Sequence, residues 1–136
     1  MRRNGDRWWR EAQSDLAAAR DSLKTGRHTW CCFQAQQAAE KGLKACLMAK
    51  GRSAVITHLL VELVLQCVRY DRSFPNIRNE AKELDRFYIP TRTPDGLAGN
   101  LTPSEYFTES DARDALRWCE SILTVCRRFV ERFGRS

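Results

Sequence analysis

FQAQQAAEKGLKA, residues Phe33 to Ala45, reads as a helix with two unlike faces. Ala35, Ala39, Leu43 and Cys46 recur at steps of four and three, the spacing of one helix face. Beside them Gln37, Lys41 and Lys44 form a second stripe at the same spacing. The polar stripe matters because sites in helical bundles are built from inward-pointing polar side chains on neighbouring helices.

Toward the N-terminus, Trp9, Ala12, Leu16, Ala19 and Leu23 step by three and four. They predict a helix from about Asp6, its N-cap, to Lys24, with Gly26 as the stop. The helix that carries the opening stretch runs from about His28 to Lys50 and stops at Gly51. The link between these two helices is so short that they should pack as an antiparallel hairpin.

Toward the C-terminus, Leu59, Leu60, Leu63, Val64, Cys67 and Val68 predict a third helix from Thr57 to about Tyr70. A turn over Asp71 to Pro75 precedes a short charged helix from Asn76 to about Phe87. Prolines 90, 94 and 103, with Gly96 and Gly99, mark a long loop. The last helix follows a capping box, Thr108-x-x-Asp111. Ala112, Leu116, Cys119, Leu123, Cys126, Val130 and Phe133 then keep one seam. No strand pattern and no internal repeat is present. The predicted fold is all-α, an up-and-down bundle of about five helices in one domain over residues 1–136.

Charge and composition narrow the function. The net charge of +6 suits phosphate-bearing partners without requiring them. No apolar run approaches the roughly 20 residues of a membrane span. The basic start MRRNGDRWWRE has no apolar signal core behind it, so a cytoplasmic location is predicted. The six cysteines include no Cys-x-x-Cys pair, and neither histidine completes a zinc pattern. They read as buried free thiols, and no metal or other cofactor is expected.

The residues able to carry chemistry are few. Lys41 and Lys44 lie on one face and could grip a phosphate, although Glu40 and Lys44 could equally pair on a solvated surface. Thr57 and His58 open the third helix, where free N–H groups can be capped or can bind an anion. Arg92 sits in a loop stiffened by Pro90 and Pro94, which lowers the entropy lost on binding phosphate, unless Asp95 merely ties it down. There is no Ser-His-Asp set, no glycine-rich phosphate loop and no helix with two histidines one turn apart.

In order and spacing these pieces resemble the HEPN domain family, helical bundles of prokaryotes that also occur at the C-terminus of sacsin. The resemblance spans about Trp8 to Phe133. It rests on Trp9-x5-Asp15-Leu16-x-x-Ala19, Phe33-x-x-Gln36-Gln37-Ala38-Ala39-Glu40-Lys41-x-Leu43-Lys44-Ala45 and Thr57-His58-x-Leu60-x-x-Leu63. Tyr88-x-x-Thr91-Arg92-x-Pro94-Asp95 and Tyr106-Phe107 before Asp111-Ala112 complete it. Position 93 is Thr where similar loops read Arg-Tyr-Pro-Asp. The resemblance implies a homodimer, nucleotide or RNA binding, and a partner of the minimal nucleotidyltransferase type in a toxin–antitoxin-like pair. Together with the residues, it favours a non-catalytic ligand module with Lys41, Lys44, Thr57, His58 and Arg92 as contacts and no catalytic residue. One alternative is a metal-independent RNase toxin using Arg52 and His58, which are separated by the five residues such a motif allows. A pure dimerisation or assembly module is the other.

Overall fold

The computed structural model describes residues 3–52, 55–88 and 99–133. Among them the chain is helical, without a strand. Helix α1 is Arg3–Lys24, α2 is His28–Ala49 and α3 is Leu60–Cys67. A 3-10 turn over Phe74–Ile77 leads into α4, Arg78–Asp85. A one-turn helix α5, Pro103–Tyr106, precedes α6, Glu109–Phe133. The architecture is the all-α helical bundle that the periodicity predicts.

Side-chain contacts give the helix directions. Asp15 meets Lys41 and Ser22 meets Gln34, so α1 and α2 are antiparallel. The reversal is made at Gly26, whose φ of +77° is costly for any residue with a Cβ. The thiols of Cys31 and Cys46 reach the carbonyls of Ala112 and Cys126, so α2 and α6 run parallel. Helix α3 also runs parallel to α2, since His58 lies beside Gln36 and Cys67 beside Leu43. The chain after α2 therefore travels back along the bundle before α3 begins, and it does so without helix over 55–59. Helix α4 returns against α3, bringing Asp85 to the α3 N-terminus.

Three local expectations shift. Asp6 lies inside the first turn of α1 and pairs with Arg10 at 2.9 Å instead of capping the helix. Helix α3 starts at Leu60, three residues after Thr57, because its first N–H groups are capped from α4. Helix α5 has its own capping box, Thr102 with Glu105, inside what the prolines mark as loop. The Thr108–Asp111 box is present as read: the Thr108 N–H donates to the Asp111 carboxylate at 2.9 Å, and the Asp111 N–H to Thr108 Oγ1 at 3.2 Å.

The core is formed by the apolar stripes of α1, α2, α3 and α6, with Phe74, Ile77, Ala81 and Leu84 closing one side. Gly42 lets α2 pack tightly against α6, since a Cβ there would collide with the Leu123 side chain. All six cysteines are free and buried. Burial pushes the Cys31 thiol up to about 11, and those of Cys32, Cys67 and Cys119 higher still, so they pack as inert small hydrophobes. No helix among the described residues is long and apolar enough to cross a membrane.

Candidate functional site

The polar stripe of α2 turns inward, and Glu40 is its centre. Glu40 and Lys44 are one turn apart on α2, and their side chains are only 6% and 5% exposed. The Lys44 ammonium donates to Glu40 Oε2 at 3.0 Å and sits 5.5 Å from the centre of the Trp8 ring on α1. His58 Nδ1 approaches the same carboxylate oxygen at 3.2 Å. A carboxylate only accepts, so this contact places the imidazole hydrogen on Nδ1. The other oxygen of Glu40, Oε1, is buried and has no hydrogen-bond partner among the described residues.

Gln36 extends the cluster. It is fully buried, accepts from Gln37 Nε2 at 2.7 Å and directs its own amide at the His58 carbonyl, 3.4 Å away. The cluster reaches solvent at His58, whose side chain is 57% exposed. There the imidazole lies nearly parallel to the Tyr88 ring, with centroids 5.7 Å apart and planes 11° from each other. The paired rings give the site a flat surface.

The start of α3 is occupied by protein. Asp85 accepts the Leu60 and Val61 N–H groups at 2.8 and 3.2 Å, a cap supplied from another helix. Thr57 donates to the Glu62 carboxylate and accepts the Leu59 N–H at 3.3 Å, which ties the incoming chain to α3. The donors that an anion could use at this helix start are thus answered by a carboxylate.

Burial raises the Asp85 carboxyl above its ordinary range, while the Leu60 and Val61 N–H groups oppose the rise and the nearby Glu40 and Glu62 add to it. A carboxyl raised in the folded state stabilises the fold in its protonated form. Its contribution is complete below the unfolded pKa of about 3.9 and is lost as pH climbs through the folded value. The stability of wild type relative to Asp85→Asn is therefore expected to fall as pH rises from about 3 to about 7. Paired denaturation curves across that range test this. A flat or rising difference would show that the N–H bonds outweigh burial.

The sequence-derived contacts separate into distinct places. Lys44 and His58 meet at Glu40, and Thr57 stands beside His58 in the chain but bonds to Glu62. Lys41 points to α1, where it forms an ion pair with Asp15 at 2.7 Å. Arg92 lies outside the described residues. Arg52 donates to Gln66 Oε1 at 2.8 Å and makes no hydrogen bond to His58. Sequence reading passed over Glu40 as an anchor, Asp85 as a cap and Trp8 as a cover. Only the i,i+4 spacing of Glu40 and Lys44 hinted at the first. Among the described residues no group of three or more His, Cys, Asp or Glu side chains could hold a metal ion.

Comparison with known proteins agrees with the fold and the order of these motifs. A model of the HEPN domain matches residues 6–129. The crystal structure of TT1696 from Thermus thermophilus is similar, with a TM-score of 0.84 and 34% identity, covering 93% of this chain and 98% of that one. The Methanocaldococcus jannaschii protein named "Putative toxin MJ1304" is 27% identical over 134 residues, covering 92% of this chain and 88% of that protein. Human sacsin is 23% identical over 128 residues, a stretch that is 92% of this chain and 3% of sacsin.

Proposed function

The chain belongs to the HEPN domain family, and from that premise we propose that it is a non-catalytic ligand-binding module of a toxin–antitoxin-like pair. In this reading it is one domain that works as a homodimer beside a minimal nucleotidyltransferase. It binds a nucleotide or another phosphate-bearing ligand at the mouth formed by His58, with Thr57 and Arg92 as further proposed contacts. Lys44 supports His58 through Glu40, and Lys41, paired with Asp15, faces α1 instead. The name of the archaeal relative supports the toxin–antitoxin context.

The observation that carries the ligand reading is the Glu40 cluster. A buried ion pair gives little net stability, because desolvation offsets the Coulomb attraction. A carboxylate oxygen with no partner among the described residues makes the arrangement costlier still. A bundle has no packing reason to keep such a group under an exposed histidine. A binding role gives one: His58 and Tyr88 offer a stacking surface at the mouth, and the carboxylate holds the imidazole in one tautomer.

A catalytic reading, an RNase using Arg52 and His58, also draws on the toxin name. The two side chains are anchored to different partners, Gln66 and Glu40, which favours the non-catalytic role.

Titration calorimetry with ATP and GTP tests the proposal. His58→Ala is the suitable variant because His58 is exposed, and it is expected to weaken binding about tenfold, the value of one hydrogen bond to a charged group. Absence of binding by wild type, or identical curves for the variant, would remove the ligand role. RNA cleavage that wild type shows and His58→Ala lacks would favour the RNase.

A further inference from the structure

At one end of the bundle the chain leaves α3 and turns through 68–72 to the 3-10 segment, passing beside the last turn of α6. A groove of about 500 Å³ opens there, lined by Val68, Arg69, Tyr70, Asp71, Arg72 and Arg132. We infer that this groove is an anion site, separate from the Glu40 cluster, that takes closely spaced phosphate groups on Arg69, Arg72 and Arg132.

The charge pattern supports this first. Some arginines elsewhere are answered by acidic neighbours: Arg10 by Asp6, Arg20 by Glu120, Arg86 by Glu83, Arg113 by Glu109 and Arg117 by Asp114. Others, such as Arg7, Arg27 and Arg78, stand singly among the described residues, so what marks the groove is the convergence of three guanidiniums. Among the described residues Arg69 and Arg72 form no ion pair, although both are exposed. The acid within the groove, Asp71, is engaged with Ser73, whose N–H and hydroxyl donate to it at 2.8 and 2.6 Å. These bonds hold its carboxyl below the ordinary range. Its contact with Arg132 is long, 3.8 Å, and leaves that guanidinium 70% exposed.

The competing account is that these cations only offset helix dipoles, because the C-terminal ends of α2, α3 and α6 converge here. Magnitudes decide against it. Three guanidiniums and the Lys50 ammonium, which lies 5.8 Å from the Tyr70 ring centre, outweigh the Asp71 carboxylate by three charges. Three helix ends return about half a charge each. A surplus of about one and a half positive charges remains, in a concave site where fields concentrate. Guanidinium forks match phosphate oxygens two at a time, and the Tyr70 ring beside them can stack on a base if the phosphates belong to a nucleic-acid strand.

The groove and the Glu40 cluster are independent. Lys50 follows Glu40 by ten residues along α2, about 15 Å at the helical rise. The groove arginines are exposed and unpaired or weakly paired, so replacing them should leave the fold intact.

The test is binding of two probes, inorganic tripolyphosphate and a single-stranded RNA oligonucleotide, to wild type and to Arg72→Ala/Arg132→Ala. Each lost arginine should weaken binding about tenfold, as expected for one charge-assisted contact. Arg113→Ala/Arg117→Ala removes the same net charge at the other end of α6 and should bind like wild type. Binding of both probes, or of either one, with this pattern supports the site. The oligonucleotide alone would identify a strand as the source of the phosphates, and tripolyphosphate alone a free polyphosphate. No binding by wild type, or equal loss in the two double variants, overturns it.

Discussion

Lys44→Ala is expected to lower the unfolding free energy by about 3–5 kcal/mol, the cost of removing one partner from a buried ion pair. The Lys44 ammonium donates to Glu40 at 3.0 Å, and both side chains are almost wholly buried. Without it the Glu40 carboxylate would remain inside the bundle with His58 as its one partner among the described residues. Domains of this size are stable by about 5–15 kcal/mol, so the loss is a large share of the total. Urea denaturation measures it directly. The double replacement Glu40→Leu/Lys44→Met should recover most of the loss, because buried pairs replaced together by apolar residues are often neutral or stabilising. A single-variant loss below about 1 kcal/mol would mean that water reaches the pair and that it behaves like a surface contact. The same argument makes Lys44→Ala a poor probe of ligand binding, since lost affinity and lost fold would coincide. His58→Ala separates the two.

Phe74→Ala should cost about 3–5 kcal/mol, the range for deleting a buried phenyl ring. Phe74 is fully buried in the 3-10 turn before α4. Its ring meets that of Phe129 edge-on, with centroids 5.4 Å apart and planes at 66°. Phe129 in turn packs on Phe133 at 4.8 Å. These rings hold the α3–α4 crossover on the C-terminal half of α6, and α4 carries the Asp85 cap of α3. The change should therefore also reduce near-UV circular dichroism and speed amide exchange at Leu60 and Val61. A loss under about 1 kcal/mol would show that the crossover is held by backbone contacts instead.

How much was legible differs by element. The α6 seam and its Thr108–Asp111 box could be read directly, because both depend on residues within one or two turns. The hairpin of α1 and α2 was equally plain from two stripes and a glycine stop. The start of α3 was misplaced by three residues because the group that caps it, Asp85, is 25 positions away. The parallel course of α2 and α3 was hidden too, since nothing local in 50–59 states how far the chain travels before turning.

Within the candidate site, the sequence by itself determined the residue types and their helical phase: Glu40 and Lys44 one turn apart, and His58 ahead of a helix. It could not determine their surroundings. The same spacing describes a solvated pair on an open face or a buried pair under Trp8, and only the placement of α1 against α2 decided between them. Tertiary structure likewise brought Tyr88 onto His58, and it gathered Arg69, Arg72 and Arg132 from segments 60 or more residues apart into one groove. Periodicity is set by neighbours along the chain, whereas desolvation, and with it the energy and chemistry of a charge, is set by whatever segment covers it.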